Sequence, residues 1–205
     1  MLKIYLTRHG QDQDNASGLL NGHRDTPLTA RGVEQANELA DKIFAAGFVF
    51  DNIYSSPLQR AKRTAEIIAQ KLNFKPVEIL PDLIERDFGI LAGKPIKDIE
   101  VLCYPEIIKS GPVSYFLSAQ GADTFPALML RAKKVLDALT QKYQHGNILL
   151  VSHGDFGKML YAAFYQLDWQ RVLAMFHFGN SELILLSPDS DPEDVYIFRT
   201  KQFNP

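Results

Sequence analysis

The chain has 205 residues, 46% of them hydrophobic and 22% charged, and a formal net charge of −2. That length buries the core of one large domain or two small ones, and the near-neutral balance lacks the basic excess of a general nucleic-acid binder. Cys103 is the single cysteine, which excludes an internal disulfide framework and favours a reducing compartment. The first ten residues hold too short an apolar run for a secretory signal, and no stretch reaches the length of a membrane span. A cytoplasmic location, with neither membrane nor nucleic acid as partner, is expected; oligomeric state is not legible.

Strands and helices alternate along the chain. Lys3–Thr7 is a short β-prone run that stops at Arg8-His9-Gly10. A polar segment follows to Pro27. Thr29 then has the character of a helix N-cap, with Val33, Ala36, Ala40, Ile43 and Phe44 on a helical period and Gly47 as the stop. Asn52–Ser55 is the second predicted strand. Ser56-Pro57 is expected to open the next helix, with proline at its first position and Ala61, Ala65, Ile68 and Leu72 as its core stripe. Val77–Leu80 is a third strand. From Gly93 to about Thr124 the chain is irregular and punctuated by proline and glycine, which suggests an inserted lid with some helix.

A helix is predicted over Phe125–Tyr143. Asn147–Ser152 is wholly apolar at its centre, the pattern of a strand covered on both faces. Helix resumes from Gly154 to about Leu167, and Phe164, Leu167, Val172, Met175 and Phe176 are expected in the core. Leu183–Leu186 and Val195–Arg199 are the last strands. No repeat or interdomain linker is visible, so the alternation predicts one α/β domain over residues 1–205 with a largely parallel sheet.

Ligands of such sheets bind beyond the carboxyl ends of the strands. One strand runs into Thr7-Arg8-His9-Gly10 and another into Ser152-His153-Gly154. If both are central and parallel, His9 and His153 meet at one rim. A neutral imidazole is a good nucleophile near pH 7. Alone, His9 reads equally as a structural histidine in a turn, and Arg8 as the partner of a surface carboxylate. Arg60, in the first turn of the helix after Pro57, points towards the strand ends, where helix amides also favour an anion. Two arginines and two histidines together match a tetrahedral phosphate, whose oxygens arginine forks bind bidentately. Glu85 lies past a strand, where desolvation would suit its carboxyl to protonate a leaving oxygen. Asp87 competes for that role, and spacing does not rank the two. His9, His23, His145, His153 and His177 form no close ligand pairs, and no glycine-rich nucleotide loop occurs, so neither metal nor cofactor is expected.

Several ordered motifs resemble the histidine phosphatase superfamily, also called the phosphoglycerate mutase-like family. They are Thr7-Arg8-His9-Gly10-Gln11 with Asn15, Asp25-Thr26-Pro27-Leu28-Thr29, Tyr54-Ser55-Ser56-Pro57-Leu58-Gln59-Arg60-Ala61, Leu83-Ile84-Glu85 with Phe88-Gly89, Val151-Ser152-His153-Gly154, and Asn180-Ser181. The resemblance implies a three-layer α/β/α sandwich. It implies His9 as the phosphorylated nucleophile and Glu85, rather than Asp87, as the proton donor. Arg8, Arg60 and His153 would hold the phosphoryl oxygens, with Asn15, Asn21 and Gly154 as secondary contacts. Leu91-Ala92, Leu19 and Gly121-Ala122-Asp123-Thr124 depart from the family pattern near the pocket mouth. The expected partner is a small phosphorylated substrate, and the expected activity is a metal-independent phosphomonoesterase. A cofactor-dependent phosphoglycerate mutase is the alternative, and a non-catalytic phosphate-binding module a more distant one. Lys94, Lys97 and Lys109, in the short stretch after Glu85, are few for gripping a second acidic group, which favours hydrolysis.

Overall fold

Leu2–Arg8 forms β1, whose residues alternate between two covered faces and so place seven residues in the middle of one sheet. The computed structural model describes residues 1–200. After β1 come α1 (Gln13–Ala16), α2 (Ala30–Ala45), β2 (Asn52–Ser55), α3 (Gln59–Lys71) and β3 (Glu78–Ile79). The segment that follows holds short 3-10 turns, α4 (Ile99–Cys103) and the strands β4 (Ile107–Ser110) and β5 (Val113–Phe116). Then come α5 (Phe125–Lys142), β6 (Gly146–Ser152), α6 (Gly154–Phe164), α7 (Trp169–Met175), β7 (Leu183–Leu186) and β8 (Tyr196–Phe198).

The main sheet has the order β3-β2-β6-β1-β7-β8. Its first four strands run parallel, while β7 and β8 each pair antiparallel to their neighbours. Strand alternation divides the core in two. Ile4, Leu6, Ile148 and Leu150 pack with α5 and α6 on one face, whereas Tyr5, Ile53, Leu149 and Val151 pack with α2 and α3 on the other. This is the three-layer α/β/α sandwich with a mostly parallel centre. Among the described residues, no helix is long and apolar enough to cross a membrane.

Several boundaries differ from expectation for physical reasons. The third helix opens at Gln59 rather than at Pro57. Ser56 instead continues the β2 ladder, its amide bonding to the Val151 carbonyl at 3.0 Å. The third strand shrinks to two exposed residues at the sheet edge. α6 ends at Phe164, and Gln166 adopts a φ of 55° just beyond it. A separate α7 follows, capped by Asp168, whose carboxylate accepts from the Arg171 amide at 2.8 Å. Within the expected core stripes, Val172 and Phe176 are buried, but Met175 is 66% exposed and Phe44 60%. The 93–124 segment carries a hairpin as well as helix. Ile107 and Ile108 pair with Phe116 and Tyr115, and Gly111 turns the chain at a φ of 57°.

Candidate active site

The register of the sheet brings the two histidines together. Arg8 pairs with Ser152 at the ends of β1 and β6, and the His9 amide bonds to the Ser152 carbonyl at 3.0 Å. The rings of His9 and His153 lie 5.1 Å apart, inclined at 60°. Gly10 lets α2 approach this rim: a β-carbon there would meet the Gly32 carbonyl oxygen at 2.3 Å.

His9 is buried and its Nδ1 lies 2.7 Å from the Gly10 carbonyl oxygen. A carbonyl only accepts, so Nδ1 carries the hydrogen and Nε2 keeps its lone pair. Arg60 Nε stands 3.2 Å from that Nε2. The rest of the buried guanidinium is fixed by the carbonyls of Arg24 at 2.6 Å and Gly22 at 2.8 Å. Asp12 completes the support, 3.2 Å from Arg60 Nε, while accepting from the Asn15 amide and Asn21 Nδ2, each at 2.8 Å.

Arg8 donates from one Nη to the Phe178 carbonyl at 3.0 Å, and its buried Nε has no hydrogen-bond partner among the described residues. Gly154 lies beside it, and a β-carbon there would make ordinary contact at 3.5 Å from Arg8 Cζ. His153 Nε2 is 2.7 Å from the Ser56 hydroxyl, and its buried Nδ1 likewise has no partner among the described residues. Burial and the nearby guanidinium groups of Arg60 and Arg8 hold both histidines well below the ordinary imidazole pKa. Both rings are therefore neutral at pH 7.

Glu85 is buried at the start of α6. One carboxylate oxygen accepts from the amides of Arg86 and Phe156 at 2.9 Å each, the other from Asp155 at 3.2 Å. Glu85 lines a cleft that also reaches Arg8, Asn15, Asn21 and Gly154. Asp87 is 40% exposed and lies 3.4 Å from His23 Nδ1, outside that lining. Position therefore separates the two carboxylates that spacing leaves unranked.

The structure gathers all eight candidate residues around one rim, though His9, Arg60 and His153 lie behind the cleft lining rather than in it. Asp12, Ser56, Arg86 and Lys158 were not anticipated as part of the site. For Asp12 the signal was present: an aspartate three residues before Asn15 has the position of a helix N-cap, which it fills for α1. The cationic groups lining the cleft are Arg8, Arg86 and Lys158, and none of Lys94, Lys97 and Lys109 lines it. No group of three or more metal-ligand side chains occurs among the described residues.

Comparison with known proteins points the same way. Residues 4–197 match the family described as the histidine phosphatase superfamily, branch 1. An adenosylcobalamin/alpha-ribazole phosphatase from Escherichia coli is 31% identical over 185 residues, 86% of this chain and 84% of that protein. A 2,3-bisphosphoglycerate-dependent phosphoglycerate mutase from Parvibaculum lavamentivorans is 32% identical over 179 residues, 84% of each chain. Among solved structures, a phosphoserine phosphatase from Entamoeba histolytica, in complex with 3-phosphoglyceric acid, is 29% identical and superimposes with a TM-score of 0.75 over 90% of both chains. The chain belongs to the histidine phosphatase superfamily.

Proposed function

We propose that this chain is a phosphomonoesterase that acts through a phosphohistidine on His9, on small phosphorylated substrates in the cytoplasm. The observation that carries the reading is the state of His9: neutral, with Nδ1 committed to Gly10 and Nε2 facing a buried arginine. In this mechanism Arg60 Nε exchanges its contact with Nε2 for a phosphoryl oxygen as substrate enters. Nε2 attacks phosphorus in line, and the ester P–O bond breaks. Glu85, protonated by the incoming monoester, passes that proton to the leaving alkoxide. Water then attacks the phosphohistidine, Glu85 takes its proton, and inorganic phosphate leaves His9 neutral again. Splitting one displacement into two is the gain of the covalent route.

Charge on the equatorial oxygens falls to Arg8 and Arg60, with the free Nε of Arg8 as a ready donor. His153 serves without carrying a charge. If the Ser56 hydroxyl donates to Nε2, the hydrogen sits on Nδ1, the ring atom left without a partner. Neutral His153 then donates to a phosphoryl oxygen. The 93–124 segment, which supplies part of the cleft wall, acts in this reading as the lid.

Labelled substrate in buffer containing EDTA, quenched under turnover, should leave an acid-labile, base-stable phosphate that maps to His9. Labelling of a serine or of His153, or activity lost in EDTA and restored by a divalent ion, would sink the mechanism. Interconversion of 2- and 3-phosphoglycerate outpacing phosphate release would favour the mutase instead.

A further inference from the structure

A carboxylate stands where an anion is to be held. Asp12 is fully buried, and its Oδ2 lies 3.2 Å from Arg60 Nε. The same Nε is 3.2 Å from His9 Nε2, the atom that attacks phosphorus in the proposed mechanism. The charged and titratable groups that face Asp12 are Arg60 from α3, Arg8 from β1 and His9, whose Nδ1 is 4.0 Å from Oδ2. Glu85 and Asp25 act on the same guanidinium from beyond ion-pair distance.

Structural support alone does not call for a carboxylate here. The Arg24 and Gly22 carbonyls already aim the Arg60 guanidinium. A hydroxyl at position 12 would cap α1 as well as a carboxylate does. Burial raises the Asp12 carboxyl above the ordinary carboxylate range, against the opposing pull of Arg60 and of the Asn15 and Asn21 hydrogen bonds. Asp12 is therefore easier to protonate than an exposed aspartate.

A phosphoryl oxygen that takes Arg60 Nε becomes the neighbour of Asp12 Oδ2, since both then accept from one N–H. Two anionic oxygens so placed repel each other unless a proton lies between them. Phosphate brings such a proton, because a phosphate monoester loses its last one at about pH 6. Sulfate has the same tetrahedral shape and carries no proton near neutral pH. We propose that Asp12 makes the site read the protonation of its anion: phosphate binds with one proton held between a phosphoryl oxygen and Asp12 Oδ2, and an unprotonated tetrahedral dianion is rejected. This proton is separate from the one that Glu85 passes to the leaving group. Solvent supplies it as phosphate binds and takes it back as phosphate leaves, so the balance of the hydrolysis is unchanged. The inference rests on the reading of this rim as a phosphate site and goes beyond it.

Binding of the free anions needs no turnover, so calorimetry with inorganic phosphate and with sulfate is the test. At about pH 6 the wild-type chain should bind phosphate roughly ten-fold or more tighter than sulfate, the scale of one charge-assisted hydrogen bond. Asp12→Asn presents an N–H to the anion in place of an acceptor. It should bring the two affinities to within roughly three-fold and lessen the fall of phosphate affinity with rising pH by about one proton. Asp12→Ser, which keeps a capping oxygen for the Asn15 amide and carries no charge, should do the same. Equal wild-type affinities for the two anions, or a preference for phosphate that both variants retain, overturns the role of Asp12 and leaves the phosphatase reading intact. A folded variant that binds neither anion overturns it too, because Asp12 would then be a support of the site. If neither variant folds, the wild-type chain at about pH 8 decides. Heats measured in buffers of different ionisation enthalpy should show proton uptake on phosphate binding, and heats independent of the buffer overturn the shared proton. Failure of the wild-type chain to bind phosphate at all overturns the phosphate site itself, and the role of Asp12 with it.

Discussion

In the proposed mechanism a carboxylate and two histidines set the chemistry at the scale of single residues. Glu85→Gln retains the size of the side chain and one oxygen for the amides of α6, but it has no acidic proton to give. Loss of a general acid costs ~10² to 10⁴ in rate, and the loss should follow the leaving group. An alkyl phosphate departs as a basic alkoxide and needs the proton, whereas p-nitrophenyl phosphate departs as a weakly basic phenolate. Pre-steady-state phosphorylation of His9 should therefore slow severely with the first and mildly with the second. Asp87→Asn, outside the cleft lining, should show no such selectivity; finding it there instead would reassign the acid. The histidines make a separate, thermodynamic prediction. His9 and His153 are held below the ordinary value in the folded chain, so below about pH 6.5 the unfolded chain binds more protons than the folded one. Stability is then complete above that pH and falls as pH drops towards the folded values, by up to about 1.4 kcal/mol per pH unit for each histidine. Urea unfolding at pH 7.5 and 5.5 measures this slope. His153→Gln should remove one histidine's share, and an unchanged slope would mean that His153 is not held neutral.

The elements that aim these residues meet through backbone rather than through long side chains. α2 starts beside the loop that carries His9, the proposed nucleophile, with Thr29 capping it by accepting from the Gly32 amide at 3.0 Å. Gly32 in turn lies against that loop, and a β-carbon on it would stand 2.0 Å from the Gln11 carbonyl oxygen. Two effects compete in Gly32→Ala. Helix propensity favours alanine by about 0.8–1.0 kcal/mol. Overlap with backbone that cannot rotate away costs about 1–3 kcal/mol. The contact here is backbone on backbone, so overlap should win. The variant should be less stable by up to about 2 kcal/mol in urea. It should also lose activity, because Gln11 is two residues from His9 and must shift. A variant as stable as the parent would show that α2 has room to move and does not fix the nucleophile.

Across the whole molecule, legibility followed periodicity. Strongly patterned elements such as β6, α2 and α5 could be read from the chain within a residue or two, and two strand ends sufficed to place His9 beside His153. What escaped was set by tertiary contacts. Ser56 was assigned to a helix although it extends a strand and holds His153. Arg86 is not picked out by the sequence, because nothing in the spacing reveals that Phe116 and Phe125 arrive from distant segments to join Phe88 around it. The hairpin was more accessible: β-prone residues flank Gly111-Pro112, a pattern of two short strands about a turn. Arg86 is also one place where the hairpin joins the sandwich, beside the Ser110 hydroxyl's bond to the Ala174 carbonyl of α7 at 2.7 Å. It follows Glu85, the proposed acid, stacks 3.8 Å from the Phe116 ring, donates to the Phe116 carbonyl at 2.9 Å and faces Asp155 on α6. Arg86→Met preserves apolar contact with the rings but leaves a buried carbonyl without its donor and Asp155 without its partner. Removing one member of such a buried pair costs about 3–5 kcal/mol. Because the main sheet has its own core on both faces, part of this loss should appear as local opening. Amides of β4 and β5 should exchange hydrogen much faster in Arg86→Met, while those of β1 and β6 should change only as far as global stability falls. Exchange that accelerates uniformly across both sheets would show that the hairpin and the sandwich open as one unit, and that Arg86 is not the joint between them.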